Sequence, residues 1–156
     1  MRTIPRGALL AVVLMGAGPA VVTSSLAMAA EPAVYAGFPS GLAVDGYDPV
    51  AYFVEGRPVA GSPAFESRYA DATWRFASAA NKAAFDAEPG KYAPRYGGYC
   101  AWAVSQGYTA KGDPANWRIV GGRLYLNYDA AVQRTWEKDI PGNIRKADGN
   151  WPEVVR

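Results

Sequence analysis

The chain predicts an α+β fold: one small domain in which β-hairpins alternate with short helices, closed by a C-terminal helical segment. Three features point there. Arg118-Ile119-Val120 and Arg123-Leu124-Tyr125-Leu126-Asn127-Tyr128 are β-prone runs flanking Gly121-Gly122, the clearest hairpin signal in the chain. A second pair of apolar runs, between Phe65 and Phe76, turns around Asp71. Helix signals complete the pattern. Ser78 precedes Ala79 to Ala87, and Asp129 precedes Val132, Trp136 and Ile140, whose spacing of four places them on one helix face.

Taken in order, residues 30–40 hold two prolines and one glycine with little periodicity, and read as a flexible N-terminal tail able to dock on the domain. The domain itself spans 41–156 and opens with Asp45-Gly46 as a turn. Asp48-Pro49-Val50-Ala51-Tyr52-Phe53 predicts a short helix, with Asp48 as N-cap and Pro49 at the first helical position. Gly56-Arg57-Pro58 ends it. After the first hairpin, Ala79 to Ala87 is closed by Glu88-Pro89-Gly90. Tyr92, Tyr96 and Tyr99 fall in a turn-rich connection. In it, Gly97-Gly98 allows a close backbone approach or a positive φ before a helix over Tyr99 to Gln106. Asp113-Pro114-Ala115-Asn116-Trp117 reads as a capped turn. Pro141-Gly142 breaks the helix begun at Asp129, and Ile144, Ala147 and Trp151 continue in a second segment.

The N-terminus reads as an address. Arg2 and Arg6 form a basic region, Ala8 to Leu14 is apolar, and no charge occurs between Gly7 and Ala30. Ala27-Met28-Ala29 supplies the small residues of a signal peptidase site. Residues 1–29 are therefore expected to be a Sec-type signal peptide cleaved after Ala29, sending the protein to the periplasm or the exterior. The competing reading is an uncleaved anchor, although Gly16, Gly18 and Pro19 interrupt the apolar run. Cleavage leaves about 127 residues, enough for one domain with its own core, and no further stretch predicts a membrane span. The apparent basicity leaves with the signal: without Arg2 and Arg6, 14 basic residues face 14 acidic ones. No basic run remains to make a nucleic-acid surface.

The chemistry is bounded by what is missing. The chain has no histidine and one cysteine, Cys100. A Ser-His-Asp triad, a Cys-His dyad, a histidine-held haem and the usual zinc sites are excluded, as is an intramolecular disulfide. Met1, Met15 and Met28 all lie in the signal, so a Cys/Met copper site within one mature chain is excluded too, though two chains can pair their thiolates.

The residues resemble the YHS-domain family. Asp48-Pro49-Val50, Trp74-Arg75-Phe76-Ala77-Ser78, and Phe85, Pro89 and Tyr92 match its motif blocks in order, over 48–92. Tyr96-Gly97-Gly98-Tyr99-Cys100-Ala101 and Leu124-Tyr125-Leu126-Asn127-Tyr128 are similar to the longer exported bacterial proteins that carry the domain. The resemblance implies a treble-clef-like fold and, in the short form, cysteines that bind soft metal ions. Here Ala51, Ala77 and Asn81 stand at those cysteine positions, so the scaffold is expected without its thiolate metal site.

What remains for function is Cys100 and aromatic side chains. Cys100 lies at the start of a predicted helix, where N–H groups favour a thiolate, with Arg95 near in sequence. Its readings are a buried core thiol, a redox thiol or a soft-metal contact. Tyr96, Tyr99, Trp102 and Tyr108 are candidate ligand-binding residues, and Tyr125, Tyr128 and Trp117 can join them or be core. Asp45, Asp48, Asp113, Asp129 and Asp139 are better explained as turn and helix caps than as acid/base groups. The expectation is an exported non-catalytic protein that binds a small ligand, a metal ion or a protein partner in the periplasm. The alternatives are a redox or soft-metal accessory acting through Cys100, or a structural domain that self-associates into a homo-oligomer. No cofactor is named by the residues.

Overall fold

The computed structural model describes residues 30–37 and 39–156; the signal-peptide expectation, on 1–29, lies outside them. The fold is α+β, with six α-helices and two small sheets among the described residues. No helix among them is long and apolar enough to cross a membrane.

The first sheet runs β1 (Ala36–Gly37), β2 (Leu42–Ala43), β4 (Ala72–Phe76), β3 (Ser62–Tyr69) across its width. β3 and β4 form the expected hairpin. Its turn, Ala70-Asp71, has φ of 49° and 61°, the left-handed pair of a two-residue turn whose twist suits the strands. β4 alternates buried Ala72, Trp74 and Phe76 with half-buried Thr73 and Arg75, the period of a strand with one face on a core. Between β2 and β3, α1 (Ala51–Val54) presses buried Ala51 and Tyr52 inward. α2 (Ala79–Ala87) is capped by Ser78, whose Oγ accepts from Asn81 N at 3.1 Å, and seats Phe85 against Trp74 and Phe76. The single turn α3 (Pro89–Tyr92) follows.

The second sheet is the hairpin β5 (Asp113–Val120) and β6 (Arg123–Asn127), turning at Gly121-Gly122. Asp113-Pro114-Ala115, expected as a capped turn, lies in β5. The turn chemistry survives inside the strand, because Asp113 Oδ1 accepts from Ala115 N at 2.7 Å where the register shifts between Asp113 and Trp117. α4 (Ala101–Ser105) precedes this hairpin; α5 (Ala130–Glu137) and α6 (Ile140–Val154) follow it. Asp129 Oδ1 caps α5 through Val132 N at 2.8 Å. The break falls earlier than the sequence predicts. Asp139 caps α6 through Gly142 N at 3.0 Å, so Pro141 starts α6 instead of ending α5, and Ile140 opens the new helix.

β6 divides two apolar clusters. Leu124 and Leu126 join Trp74, Phe76, Phe85 and Tyr52 on one side. Tyr125, between them, joins Tyr96, Tyr99, Val104 and Trp136 on the other. The segment before Gly41 docks on this body. Tyr35 N donates to Gly97 O at 2.9 Å, Tyr99 Oη donates to Pro32 O at 2.9 Å, and Val34 is buried. Gly97 makes that docking possible: a Cβ there would lie 1.9 Å from Ala33 O, and its φ is +60°.

Candidate functional site

Cys100 is buried between β6, with which it bridges at Leu126, and the start of α4. Its N–H donates to Ala110 O at 2.8 Å and its carbonyl accepts from Val104 N at 3.1 Å, so it is the residue from which α4 starts, as the sequence predicts. Its thiol donates to Asn127 Oδ1 at 3.7 Å. That same oxygen accepts from Trp102 N at 3.1 Å, and Asn127 Nδ2 donates to Gln133 Oε1 at 3.0 Å. Asn127 is fully buried at the end of β6. It ties strand, cysteine loop and α5 together, a role sequence reasoning did not assign. The available signal was a polar side chain ending an apolar alternation.

One wall of the thiol opens onto a cavity of about 220 Å³. Trp102 and Ala103 of α4, Tyr108 and Ala110 beyond it, and Tyr128 and Val132 at the start of α5 line it with Cys100, and it is open to solvent on the side of the exposed Tyr108 and Tyr128. The Trp102 and Tyr108 rings meet edge to face at 6.4 Å, and Lys111 Nζ lies 5.9 Å from the Tyr128 ring centre. Burial pushes the Cys100 thiol up from its ordinary range, while backbone N–H groups of Ala103, Tyr128 and Trp102 pull against it. Desolvation is the larger of the two influences, in the direction of the buried core thiol among the readings given above.

The structure splits the predicted aromatic site. Cys100, Trp102 and Tyr108 share the cavity with Tyr128. Tyr96 and Tyr99 do not. Both are buried in the second cluster, where Tyr96 Oη donates to Asp148 Oδ1 at 2.8 Å and Tyr99 holds the N-terminal segment. Burial and the nearby Glu31 carboxylate push Tyr99 up to about 12, and burial with Asp148 raises Tyr96 further. Trp117 packs on Tyr52 in the first cluster, and Tyr125 is core to the second. Arg95 does not serve Cys100 either. Positive φ at Tyr96, Gly97 and Gly98 turns the chain between them, and its Nη2 donates to Asp148 Oδ1 at 2.8 Å.

The three positions where the resemblance implies thiolates converge on a different group. Asp48 is wholly buried, and its Oδ1 accepts from Val50 N at 2.8 Å and Ala51 N at 3.3 Å. Its Oδ2 accepts from Ala77 N at 2.8 Å and Asn81 Nδ2 at 2.7 Å. Ala51, Ala77 and Asn81 thus each present an N–H to one carboxylate. Alanine side chains offer no metal donor, and the Asn81 amide donates toward Asp48. The residues do not fit a soft metal ion. Among the described residues, no three His, Cys, Asp or Glu side chains form a group able to hold a metal. Asp48 is more than the N-cap the sequence predicts: half of its bonds join α1 to the start of α2, with the two motif blocks meeting at one side chain.

Comparison with family models, with curated proteins and with solved structures gives no match for this chain.

Proposed function

We propose that this chain is an exported, non-catalytic binding protein of the YHS family that takes a small apolar ligand, about the size of one ring, in the Cys100 cavity. The observation that carries the reading is the cavity itself. A cavity of 150 Å³ lined by apolar side chains suffices for benzene, and drug-sized ligands occupy about 300 Å³ or more. At about 220 Å³, walled by Trp102, Tyr108 and Tyr128, this one suits a single substituted ring. The meeting of Asp48-Pro49-Val50 with Ala77 at the Asp48 carboxylate supports the family assignment, since both motif blocks then serve one structural knot. In this reading Cys100 is a polarizable contact in the wall. The redox and soft-metal alternative requires an accessible thiolate, and the burial of Cys100 opposes it.

The test pairs two readouts on the purified protein. Benzyl alcohol, a neutral single-ring probe, is titrated while the Trp102 indole N–H resonance is followed, and iodoacetamide alkylation of native Cys100 is timed with and without it. A saturable Trp102 shift and slowed alkylation are expected, with both effects lost in Ala110→Leu, which fills the cavity. No saturable shift, together with fast alkylation at neutral pH, overturns the reading in favour of a functional thiol.

A further inference from the structure

A second cavity, of about 270 Å³, shares no lining residue with the Cys100 cavity. Its walls include five places in the chain. Val34 belongs to the docked N-terminal segment, Tyr69 to the first hairpin, Arg95 and Tyr96 to the turn before α4, and Arg123 and Trp151 to β6 and α6. Two of its lining residues are arginines and none is an aspartate or glutamate. Arg95 pairs with Asp148, which is not a lining residue, and Arg123 forms no ion pair among the described residues.

The guanidiniums are held in place without being saturated. Arg95 Nη2 donates to Asp148 Oδ1 at 2.8 Å, and the group lies over the Tyr96 ring at 5.5 Å. Arg123 Nη1 donates to Gly90 O at 3.0 Å. Each guanidinium carries five N–H donors, so both retain donors beyond these bonds. Beside them stand flat apolar faces. Trp151 and Tyr96 lie with ring centres 5.6 Å apart, and both line the cavity.

We propose that this cavity is a binding site for a small aromatic carboxylate, its carboxylate between Arg95 and Arg123 and its ring against Trp151 and Tyr96. Guanidinium recognises carboxylate through paired N–H donors, a geometry that an amide of the same shape does not satisfy. The volume again admits one ring with a substituent. The site is independent of the Cys100 cavity, and the two carry separate tryptophan reporters.

Benzoate is the probe and benzamide its neutral isostere. The Trp151 and Trp102 indole N–H resonances, assigned with Trp151→Phe and Trp102→Phe, are followed through each titration. Benzoate is expected to shift Trp151 saturably and leave Trp102 in place. Benzamide is expected to bind at least about tenfold more weakly, the loss of at least one charge-assisted hydrogen bond. Arg95→Gln and Arg123→Gln are each expected to weaken benzoate by a similar factor, and Arg123→Lys to restore part of it by restoring the charge. The proposal is overturned if Trp151 shows no saturable shift up to the solubility limit of benzoate, if benzamide binds equally well, or if Trp102 responds instead. The benzoate and benzamide comparison is made on the unaltered protein, so it stands even where a variant fails to fold.

Discussion

Replacing Asp48 by asparagine changes one oxygen to an amide nitrogen and almost no volume. The buried carboxylate accepts four N–H groups, two on each oxygen. An amide retains one acceptor oxygen, so whichever way it is turned, its NH2 group faces a pair of donors. Either Val50 N and Ala51 N, or Ala77 N and Asn81 Nδ2, then lose their acceptor inside a site closed to solvent. Hydrogen bonds to a charged group contribute about 1.5–3 kcal/mol each, and removing one partner of a buried charged arrangement costs about 3–5 kcal/mol. We take about 4 kcal/mol as the expected loss, a large share of the roughly 5–15 kcal/mol that holds a domain together. At a sensitivity of about 4 °C per kcal/mol for a domain of this size, the midpoint falls by about 16 °C. Urea and thermal denaturation followed by far-UV circular dichroism measure it, with an unchanged urea slope showing that both proteins unfold from comparable states. Asn81→Ala removes only one donor and its bond, and is expected to lose less than half as much. A D48N protein within about 1 kcal/mol of the parent refutes the reasoning, because the carboxylate would then not be the group that joins the two motif blocks.

Two further outcomes follow from side-chain burial and backbone geometry. Burial raises Tyr52, Tyr96, Tyr99 and Tyr125 above the ordinary tyrosine value of 10.0. A phenol whose folded pKa is raised ionises first in the unfolded chain, so its contribution is complete below about pH 10 and is lost as pH rises. For Tyr99 that loss runs from 10.0 to about 12. Absorbance at 295 nm should therefore show a steep cooperative step coincident with unfolding by circular dichroism; a gradual titration of all ten tyrosines with no step would contradict it. At the β3–β4 turn, Ala70 holds φ of 49°, a conformation alanine adopts at a cost of about 1–2 kcal/mol and asparagine more readily. Ala70→Asn is expected to stabilise the protein by about 1 kcal/mol in urea denaturation, and no gain would place the strain elsewhere.

The sequence made local structure legible wherever a cap or turn residue acted on its immediate neighbours. Ser78 and Asp129 each bond an N–H three residues on, and Gly121-Gly122 joins strands that lie side by side in the chain. The α+β class followed from those signals. The parallel pairing of β2 with β4 did not, because Leu42 meets Thr73 across a long stretch of chain and a two-residue strand carries no periodicity. Asp48 was half legible: its bonds to Val50 and Ala51 are a local cap, while those to Ala77 and Asn81 depend on tertiary approach. Pro141 was misassigned because a proline ends one helix and starts another with equal ease, and only the Asp139 cap settles which. The candidate site divided for a related reason. Tyr96, Tyr99, Cys100 and Trp102 are neighbours in sequence, yet the first two are buried in the second cluster while Cys100 and Trp102 line the cavity, a division that depends on tertiary packing.

That strand, β6, makes the domain indivisible. Its two sheets share no strand, yet Leu124 and Leu126 complete one apolar cluster while Tyr125 completes the other. A slip of one residue would send the phenol among Trp74, Phe76 and Phe85 and the leucines among Trp136 and Tyr96, spoiling both at once. Neither half can therefore settle its register without settling that of the other, and the chain has no stable way to be half folded. A protein without a single disulfide gains by this what a covalent bridge gives many exported domains: its parts stand or fall as a unit.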